Sequence, residues 1–498
     1  MSVESHNATL PTPGIAPGGE ALDPRRIAED VARRCEADGH LDGRIPAVAP
    51  GFDAPFFQAG LAGYSDAAMR LIARRHGCPF CVTEALLDRT LLAGGRGFAK
   101  ADLGDLEDNV PGGAEDAPLA CQIMGSDPAE MAAAALKAVE QGRRGDRAYR
   151  SLAYTEAGVF PEPQHLRLPG GVQIGRWSAE EDAADPLADR ELACGDLVDD
   201  VDAADCGAAS IAEHHDPRSC SGLSPSLHRP GSPSLCFTTI DVNLACPVKK
   251  VKNKARGGHW LAEPDGAIAI LKAVREAVPA EVACTVKMRR AFDDSPEMAS
   301  NFDRILAAAF DMGYAWATVH ARTVEQKYVG PSRWDLLRHI VRTHQARAAR
   351  ARKAAPIIFG SGDVWTAGDS FRMLAYTGVQ GVAVARGCIG NPWIFRQARD
   401  LMAGREPAGP TLAEQRSVLE EHFSLALATN HGVRRAEAFT GKAMRKFAIR
   451  FAAHHPDSEA VRRAFIGVDS VQSWRRVLTQ WYRIAPPAGA ARQGCRGA

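Results

Sequence analysis

The segment PIIFGSGDVWTAGDSFRMLAYTGVQGVAVARG, residues 356–387, contains two short apolar runs that each lead into a glycine-containing loop. The runs Pro356–Gly360 and Gly381–Ala385 have the length of buried strands, and Ala367–Tyr376 between them repeats apolar positions at helical spacing. Such a strand–helix–strand order predicts a parallel sheet. Glycine-rich loops after two consecutive strands, each opening a helix, are typical of the phosphate pocket of an eight-stranded β/α barrel.

The same alternation continues towards the N-terminus. The predicted strands are Phe56–Ala59, Phe80–Glu84, Leu119–Ile123, Thr239–Asn243, Ala283–Met288, Ala315–His320, Pro356–Gly360 and Gly381–Ala385. The predicted helices are Asp66–His76, Leu86–Gly94, Pro128–Glu140, Pro264–Ala277, Glu297–Met312, Arg333–His344, Ala367–Tyr376 and Pro392–Met402. Eight such units predict a (β/α)8 TIM barrel over residues 51–405, and a doubly wound open sheet is the alternative.

The remaining parts of the chain differ from the barrel in composition. Residues 1–50 carry scattered Pro and Gly and predict a loosely packed leader. Residues 143–236 form an acidic insertion without clear periodicity, expected on the N-terminal side of the barrel. Residues 410–485 are helical in period and predict a separate helical domain, followed by a disordered tail over 486–498.

Global composition excludes several classes of protein. A hydrophobic fraction of 45% and a charged fraction of 24% are typical of a globular protein. The chain has no apolar run of about 18 residues and no signal-peptide core, so we expect a cytoplasmic protein that does not enter a membrane. Twelve irregularly spaced cysteines do not predict a disulfide framework. The net charge is zero, so a nucleic-acid surface requires a local patch. We expect a monomer without an obligate protein partner.

Cys246 follows the fourth predicted strand, at the barrel edge where active sites are built. Pro247 stiffens its loop, and lysines follow at Lys249, Lys250 and Lys254. A cysteine is commonly a small buried hydrophobe, and lysines are commonly solvated. A thiol and clustered cations at a strand end instead favour chemistry beside a polyanion.

Other strand ends carry polar side chains. Gln122 ends the third strand with an amide that donates and accepts at once, as the pyrimidine edge of a flavin requires. Lys287 ends the fifth strand and suits the negative edge of a reduced flavin, although a surface lysine is the alternative. His320 and Arg322, two residues apart after the sixth strand, favour contact with a phosphate or a base. Asp66 is expected to cap the first barrel helix.

The helical domain shows two neighbouring stripes. Its cationic stripe, a candidate phosphate-binding face or simply a solvated surface, consists of Arg435, Lys442, Lys446 and Arg450. Its apolar stripe, expected to be buried, consists of Phe439, Ala443, Phe447 and Phe451.

We predict no metal site. The insertion contains Cys194, Cys206, His214, His215 and Cys220, but no CxxC pair of the kind that structural zinc sites use. Cys78 and Cys81 do form a CxxC pair. It has no second pair nearby and runs into a strand, which predicts buried packing.

Several of these segments resemble the tRNA-dihydrouridine synthase family, closest to its bacterial branches. The most specific are NLACPVKKV at residues 243–251 and TVHARTVEQKYVGPSRW at residues 318–334. The others are Ala59–Asp66, Cys121–Pro128, Thr285–Arg289, Gly360–Val364 and Ala385–Phe395. The resemblance covers residues 52–142 and 237–405, and more faintly Met444–Tyr482.

The resemblance implies FMN as the cofactor, NADPH or NADH as the reductant, and tRNA as the substrate. It implies FMN contacts at Gly60, Leu61, Ala62, Gln122, Lys287, His320, Ser361, Gly362, Asp363, Ala385 and Arg386. It implies Cys246 as the general acid, with Asn243 near the flavin and the target base and Arg322 on the RNA side. The helical domain is similar to the family's tRNA-holding domain.

This sequence departs from the usual family pattern in several places. Gly60-Leu61 replaces Pro-Met, Ala245, Ala321 and Ala385 each replace Gly, and Ser361 replaces Asn. Most changes exchange one small residue for another, so backbone contacts should survive. Two alternatives stay open: another FMN barrel enzyme that reduces a free pyrimidine or an enone, and an RNA-binding module without catalysis.

Overall fold

The computed structural model of the chain describes residues 22–38, 41–93, 114–144, 237–247, 257–430 and 435–483. The strands of these ranges are β1 Phe56–Gln58, β2 Cys81–Val82, β3 Leu86–Leu87, β4 Leu119–Met124, β5 Thr239–Leu244, β6 Ala283–Arg289, β7 Ala317–His320, β8 Ile358–Ser361 and β9 Gly381–Val384. The barrel helices are α3 Ala67–Arg75, α4 Asp88–Ala93, α5 Pro128–Arg144, α6 Pro264–Ala277, α7 Pro296–Asp311, α8 Trp334–Arg350, α9 Ala367–Thr377 and α10 Trp393–Met402. Before them lie α1 Pro24–Asp38 and α2 Arg44–Val48, and after them α11 Leu412–Thr429, α12 Ala436–Phe451, α13 Ser458–Ile466 and α14 Val471–Trp481.

Eight of the strands form a closed ring of parallel pairs in the order β1-β2-β4-β5-β6-β7-β8-β9, and β9 pairs back to β1. A helix separates each strand of the ring from the next. The predicted (β/α)8 barrel is therefore confirmed, and the open sheet is excluded. The register sets Asn243 opposite Lys287 and His320 opposite Ser361, so residues at the C-terminal ends of distant segments meet at one rim.

Side-chain caps define several helix starts. Asp66 accepts a hydrogen bond from Met69 N at 2.8 Å and begins α3, as predicted. Thr366 and Thr411 each form a capping box with the acidic residue three positions later, at the starts of α9 and α11. Caps of this kind favour a defined first residue, and the predicted barrel helices begin within two residues of the observed starts, whereas the helix predicted to end at His344 extends to Arg350.

Two predictions about the N-terminal half are wrong. Leu86–Leu87 does not begin a helix: the pair forms the short strand β3 against Ile123 and Met124, and α4 starts at Asp88. Pro24–Asp38 is not loosely packed, because α1 buries Ala28 and Val31 against the barrel's outer helices. A single apolar face on a polar, Pro-flanked segment was sufficient to dock it.

Aromatic side chains close the N-terminal end of the barrel. Phe52 precedes β1, Phe80 precedes β2 and Trp316 precedes β7, and all three pack with Phe57 and Phe359 in one buried cluster. The Phe52 and Phe80 rings stack with centroids 4.8 Å apart, and the other ring pairs meet edge-on or tilted. Helix α2 adds Ile45 to this cluster, which we call the aromatic floor.

The helices from α11 to α14 form the predicted helical domain. Trp474 is buried between Phe423 and Phe465, with ring centroids 4.8 and 5.2 Å away. The predicted apolar stripe is wrong at one end, because Phe439 is 43% exposed. The buried face of α12 is instead centred on Met444, Phe447 and Phe451. In the part of the chain that the structure describes, no helix combines the length and apolarity that a membrane span requires.

Candidate active site

A hydrogen-bond network lies inside the barrel at the C-terminal ends of β4, β5 and β6. Asp241 accepts from Thr285 Oγ1 and from Gln122 Nε2, both at 2.7 Å. Gln122 Oε1 accepts from Asn243 Nδ2 at 2.7 Å. Asn243 Oδ1 then accepts from the backbone N–H groups of Ala245, at 2.8 Å, and Cys246, at 3.2 Å. The network therefore ends on the backbone of the candidate catalytic cysteine.

Sequence reasoning identified Gln122 and Asn243 but missed Asp241 and Thr285. A signal for both was present: Asp241 and Asn243 are two apart on β5, and Thr285 and Lys287 are two apart on β6. Residues at this spacing on a strand face the same side. A polar pair on a strand side that points into the barrel indicates a network.

Cys246 lies at the barrel rim, half-buried. Its carbonyl oxygen accepts from Gly258 N at 2.9 Å, which ties its loop to the segment that begins at Gly257. Its side chain packs beside Ala85 and Met124. Arg289 Nε donates to the Ala245 carbonyl oxygen at 3.0 Å, and Lys287 pairs in register with Asn243, so two cationic side chains share this region of the rim with the Cys246 loop.

Lys287 connects this region to the loop after β1. Its Nζ lies 3.4 Å from the carbonyl oxygen of Gly60. Burial lowers the pKa of Lys287, and the nearby Asp241 opposes that shift. Gly60 has no room for a side chain, because a Cβ there would lie 2.5 Å from the Thr83 carbonyl oxygen. The structure thus brings Gly60, Gln122, Lys287 and Cys246 together, as predicted residues of one site.

A cluster of cations occupies the neighbouring part of the rim, after β7, β8 and β9. Arg322 Nη2 lies 2.8 and 2.7 Å from the two carboxylate oxygens of Asp363, and Arg386 lies 3.8 Å from the same carboxylate. Burial and the charges of the surrounding arginines hold the pKa of His320 well below its usual value. The imidazole is therefore neutral, and one carboxylate faces several positive groups.

Tyr328 stacks within this cation cluster. The guanidinium of Arg386 lies 4.8 Å from its ring centroid, and that of Arg289 lies 5.4 Å away. Burial lowers the pKa of Arg289 to about 10, although Tyr328 opposes the shift. Arg289 also donates to the carbonyl oxygens of Thr323, at 2.7 Å, and Lys327, at 2.6 Å. These contacts hold the loop after β7 over the rim.

Two buried donors in the cation cluster have no hydrogen-bond partner among the described residues: Arg322 Nη1 and Ser332 Oγ. Ser332 Oγ lies beside Gly362, whose φ of 115° is accessible to glycine but strained for other residues, and Arg322 contacts the next residue, Asp363. Unused buried donors and an excess of positive charge beside a glycine loop are the features of an anion site.

Arg322 has a different contact from the predicted one. It was expected to face RNA, but its side chain is 4% exposed, and it supports Asp363 and donates to Gly330 O at 2.6 Å. It was an isolated arginine in the sequence, and its partner lies 41 residues away.

Lys446 also differs from the predicted outward stripe. Its Nζ donates to the Gly63 carbonyl oxygen and lies 5.2 Å from the Tyr64 ring centroid. The Lys446 charge acts on two carboxyl groups, half-buried Asp66 and buried Glu84. Burial raises the pKa of Glu84 to about 7, and Lys446 opposes that shift. Lys446 therefore joins the helical domain to the barrel.

The other predicted contacts have three outcomes. Arg435, Lys442 and Arg450 are exposed. Leu61, Ala62 and Ala385 are half-buried near the rim, and Ser361 Oγ donates to Ala383 O at 3.2 Å. Lys249, Lys250 and Lys254, together with the cysteines and histidines of the insertion, lie outside the described residues.

Cys78 and Cys81 are buried, as predicted, with their sulfur atoms 3.8 Å apart.

Residues 234–473 match the family model described as dihydrouridine synthase. The matched residues include Cys246, the cation cluster and most of the helical domain. Over this segment the chain is similar to the dihydrouridine synthase family. A relative from Mycobacterium tuberculosis, named as a probable tRNA-dihydrouridine synthase, is 32% identical over 261 residues, which are 52% of this chain and 62% of the relative. The chain thus spans about three fifths of that relative's length.

A second relative comes from Aquipseudomonas alcaligenes and is named tRNA-dihydrouridine(16) synthase. It is 35% identical over 189 residues, which are 38% of this chain and 55% of the relative. Among solved structures, histamine dehydrogenase from Rhizobium sp. 4-9 matches at a TM-score of 0.38 and 11% identity, over 75% of this chain and 49% of that one. This structural likeness is too low to support a functional argument.

Proposed function

We propose that this protein reduces the C5–C6 double bond of a uridine in tRNA, giving dihydrouridine. The observation that carries the proposal is the rim geometry: Asn243 anchors the Cys246 loop and pairs in register with Lys287, and the same end of the barrel holds an anion site with unused donors. The similarity of residues 234–473 to the dihydrouridine synthase family and the names of the two relatives support the same reaction.

The anion site fits the phosphate of FMN. Arg322 Nη1 and Ser332 Oγ are buried donors without partners in the described structure, and the Ser361–Asp363 loop contacts both side chains. Arg386 and neutral His320 complete the set, since a neutral imidazole can donate or accept. When bound, FMN would supply a hydride that NADPH, or NADH, had delivered. Lys287, Gln122 and the Gly60–Ala62 loop would hold its ring.

Cys246 is suited to give the proton that the reaction needs. Addition of hydride to C6 of uracil leaves negative charge that is resolved by protonation at C5. The Cys246 thiol would supply that proton and leave a thiolate beside the cations Lys287 and Arg289. A uracil within folded RNA is stacked, so it has to leave its stack to reach the rim.

The exposed cations of the helical domain would hold the RNA backbone. Lys442 and Arg450 are exposed on α12, and Arg435 is exposed at its start. Lysines of the loop after Cys246, at Lys249, Lys250 and Lys254, would add phosphate contacts next to the reacting base. Lys446 does not belong to this group, because it contacts the barrel.

The decisive experiment replaces Cys246 with alanine and measures flavin content, NADPH oxidation and dihydrouridine yield on tRNA. We expect flavin binding and NADPH oxidation to persist and dihydrouridine formation to fall about 100-fold or more, the usual contribution of a general acid. Cys35→Ala, on the half-buried face of α1, is the control and should keep full activity.

Other results would support the two alternatives. Reduction of free uracil or of an enone without tRNA would indicate a different FMN oxidoreductase. A purified protein that binds tRNA but takes up no flavin would indicate an RNA-binding module. Equal dihydrouridine yields from wild type and Cys246→Ala would remove Cys246 from the reaction.

A further inference from the structure

Asp241 is the buried carboxylate of the network that ends at Cys246. It is 5% exposed, and its two carboxylate oxygens have different partners, Thr285 Oγ1 and Gln122 Nε2. An ionised carboxylate accepts hydrogen bonds and donates none. Gln122 must therefore present its NH2 group to Asp241, because the reverse orientation would set two acceptors against each other.

The orientation of Gln122 determines the orientation of Asn243. With its NH2 group on Asp241, Gln122 has its carbonyl oxygen towards Asn243, and Asn243 has to donate through Nδ2. Asn243 Oδ1 is then free to accept from the backbone N–H groups of Ala245 and Cys246. If the chain of amides were reversed, the Asn243 NH2 group would face two other donors, and the Cys246 loop would lose its anchor.

The burial and charge of the surroundings favour one donor-to-acceptor direction for the whole hydrogen-bond chain. Asn243 is 7% exposed and Gln122 is 1% exposed, so water cannot readily replace a lost partner. Burial raises the pKa of Asp241, whereas the hydrogen bonds from Thr285 and Gln122 and the charge of Lys287 favour its ionised form. Gln122 thus helps to keep Asp241 ionised, and ionised Asp241 in turn orients Gln122.

We propose that Asp241 is a positioning residue: its carboxylate sets the direction of the Gln122–Asn243 hydrogen-bond chain and thereby holds the backbone of Cys246 in place. The inference deepens the proposed function and rests on it only for the role of Cys246 as proton donor. Asp241 itself touches neither the substrate nor the thiol in this assignment.

The test is a double-mutant cycle between Asp241 and Thr285. In Thr285→Val the carboxylate persists and still accepts from Gln122, so the loop should be nearly unchanged. In Asp241→Asn the Thr285 hydroxyl can accept from the NH2 group of the new amide. The amide oxygen then still faces Gln122, so the Cys246 loop should also be retained. In the double variant nothing orients the amide introduced at position 241, and the direction of the chain is lost.

Two readouts on the full-length protein follow the loop and the reaction separately. The first is hydrogen–deuterium exchange of the Ala245 and Cys246 amides, which needs neither flavin nor tRNA. The second is kcat and KM for dihydrouridine formation. We expect each single variant to stay within about threefold of wild type, and the double variant to exchange these amides about tenfold faster and to lose about tenfold in kcat with little change in KM.

The inference would be overturned if the change in exchange rate and in kcat of the double variant equalled the product of the changes in the two single variants. Wild-type exchange at Ala245 and Cys246 in the double variant would also overturn it. Asp241→Ala provides a second route and should match the double variant if it folds. If the exchange pattern is as expected but the wild type makes no dihydrouridine, the proposed function fails while the positioning role stands.

Discussion

Arg322 and Asp363 join the loops that follow β7 and β8, since one guanidinium nitrogen of Arg322 lies 2.8 and 2.7 Å from the two oxygens of Asp363. Both side chains are buried, at 4% and 6% exposure. The Asp363 oxygen also accepts from Ser332 N at 2.7 Å, so three segments meet at one carboxylate. The anion site depends on this junction, because Ser332 and Gly362 lie on the segments that it fixes.

Replacement of Arg322 with lysine should weaken this junction. Lysine keeps the charge but cannot contact Asp363 and the Gly330 carbonyl oxygen together, so buried acceptors lose their donor. We expect the free energy of unfolding to fall by about 1–3 kcal/mol, measured by urea denaturation. The control Arg333→Lys alters an exposed pair with Asp335 and should cost about 0.5 kcal/mol or less. Equal losses in both variants would contradict a special role for the junction.

Glu84 should make the stability of the protein depend on pH. Its folded pKa of about 7 lies above the ordinary value of 4.5, so the folded state binds the proton more tightly than the unfolded state. The stabilisation is complete below pH 4.5 and is lost as the pH rises through 7, a total of about 3 kcal/mol.

Urea denaturation of wild type and Glu84→Gln at pH 5 and pH 8 tests this dependence. The variant should lose less stability than wild type between the two pH values, because its side chain does not ionise. Glu297→Gln, at an exposed position in the first turn of α7, should follow wild type. Parallel profiles for wild type and Glu84→Gln would show that Glu84 titrates alike in both states.

Lys446→Met should destabilise the protein more at pH 8 than at pH 5. Lys446 opposes the rise in the pKa of Glu84, so its removal raises that pKa further and makes ionised Glu84 more costly. We expect a difference of about 1–2 kcal/mol between the two pH values, absent when Glu84→Gln is also present. Lys442→Met, exposed on the same helix, is the matched control. A pH-independent loss would assign Lys446 a packing role only.

Charge reversal on α12 should weaken tRNA binding if the helical domain holds the RNA. We expect Lys442→Glu and Arg450→Glu each to lower affinity and to reduce the slope of log K against log salt by about one, as loss of a phosphate contact does. Filter binding at several salt concentrations provides the measurement. Lys272→Glu, on an exposed side of α6, should leave the slope unchanged. An unchanged slope for the α12 variants would place the RNA elsewhere.

Patterns within a few residues predicted most of the fold. Apolar runs of strand length that end in glycine or polar residues, with periodic segments between them, were sufficient for the ring of eight strands, and Asp66 was recognised as a cap from its position. The two-residue strand β3 was not predicted, because the sequence of Leu86 and Leu87 fits a helix equally well. Only their pairing with Ile123 and Met124 makes them a strand.

The site was predictable where a residue's position along its strand decides its place, as for Gln122, Lys287 and Cys246. It was not predictable where a partner lies far along the chain. Lys446 had the spacing of a surface stripe, yet it contacts Gly63, 383 residues away in sequence. Arg322 likewise had no recognisable partner until the fold placed Asp363 beside it. Long-range pairing of charges depends on packing that periodicity does not encode.

The aromatic floor has a consequence for the order of events in the proposed reaction. Phe52, Phe80 and Trp316 fill the N-terminal end of the barrel. In the described part of the barrel, a ligand would therefore enter and leave through the C-terminal end. NADPH and the extruded uracil would therefore bind one after the other, and each would exclude the other while it is bound. Excess NADPH should then slow turnover by competing with tRNA.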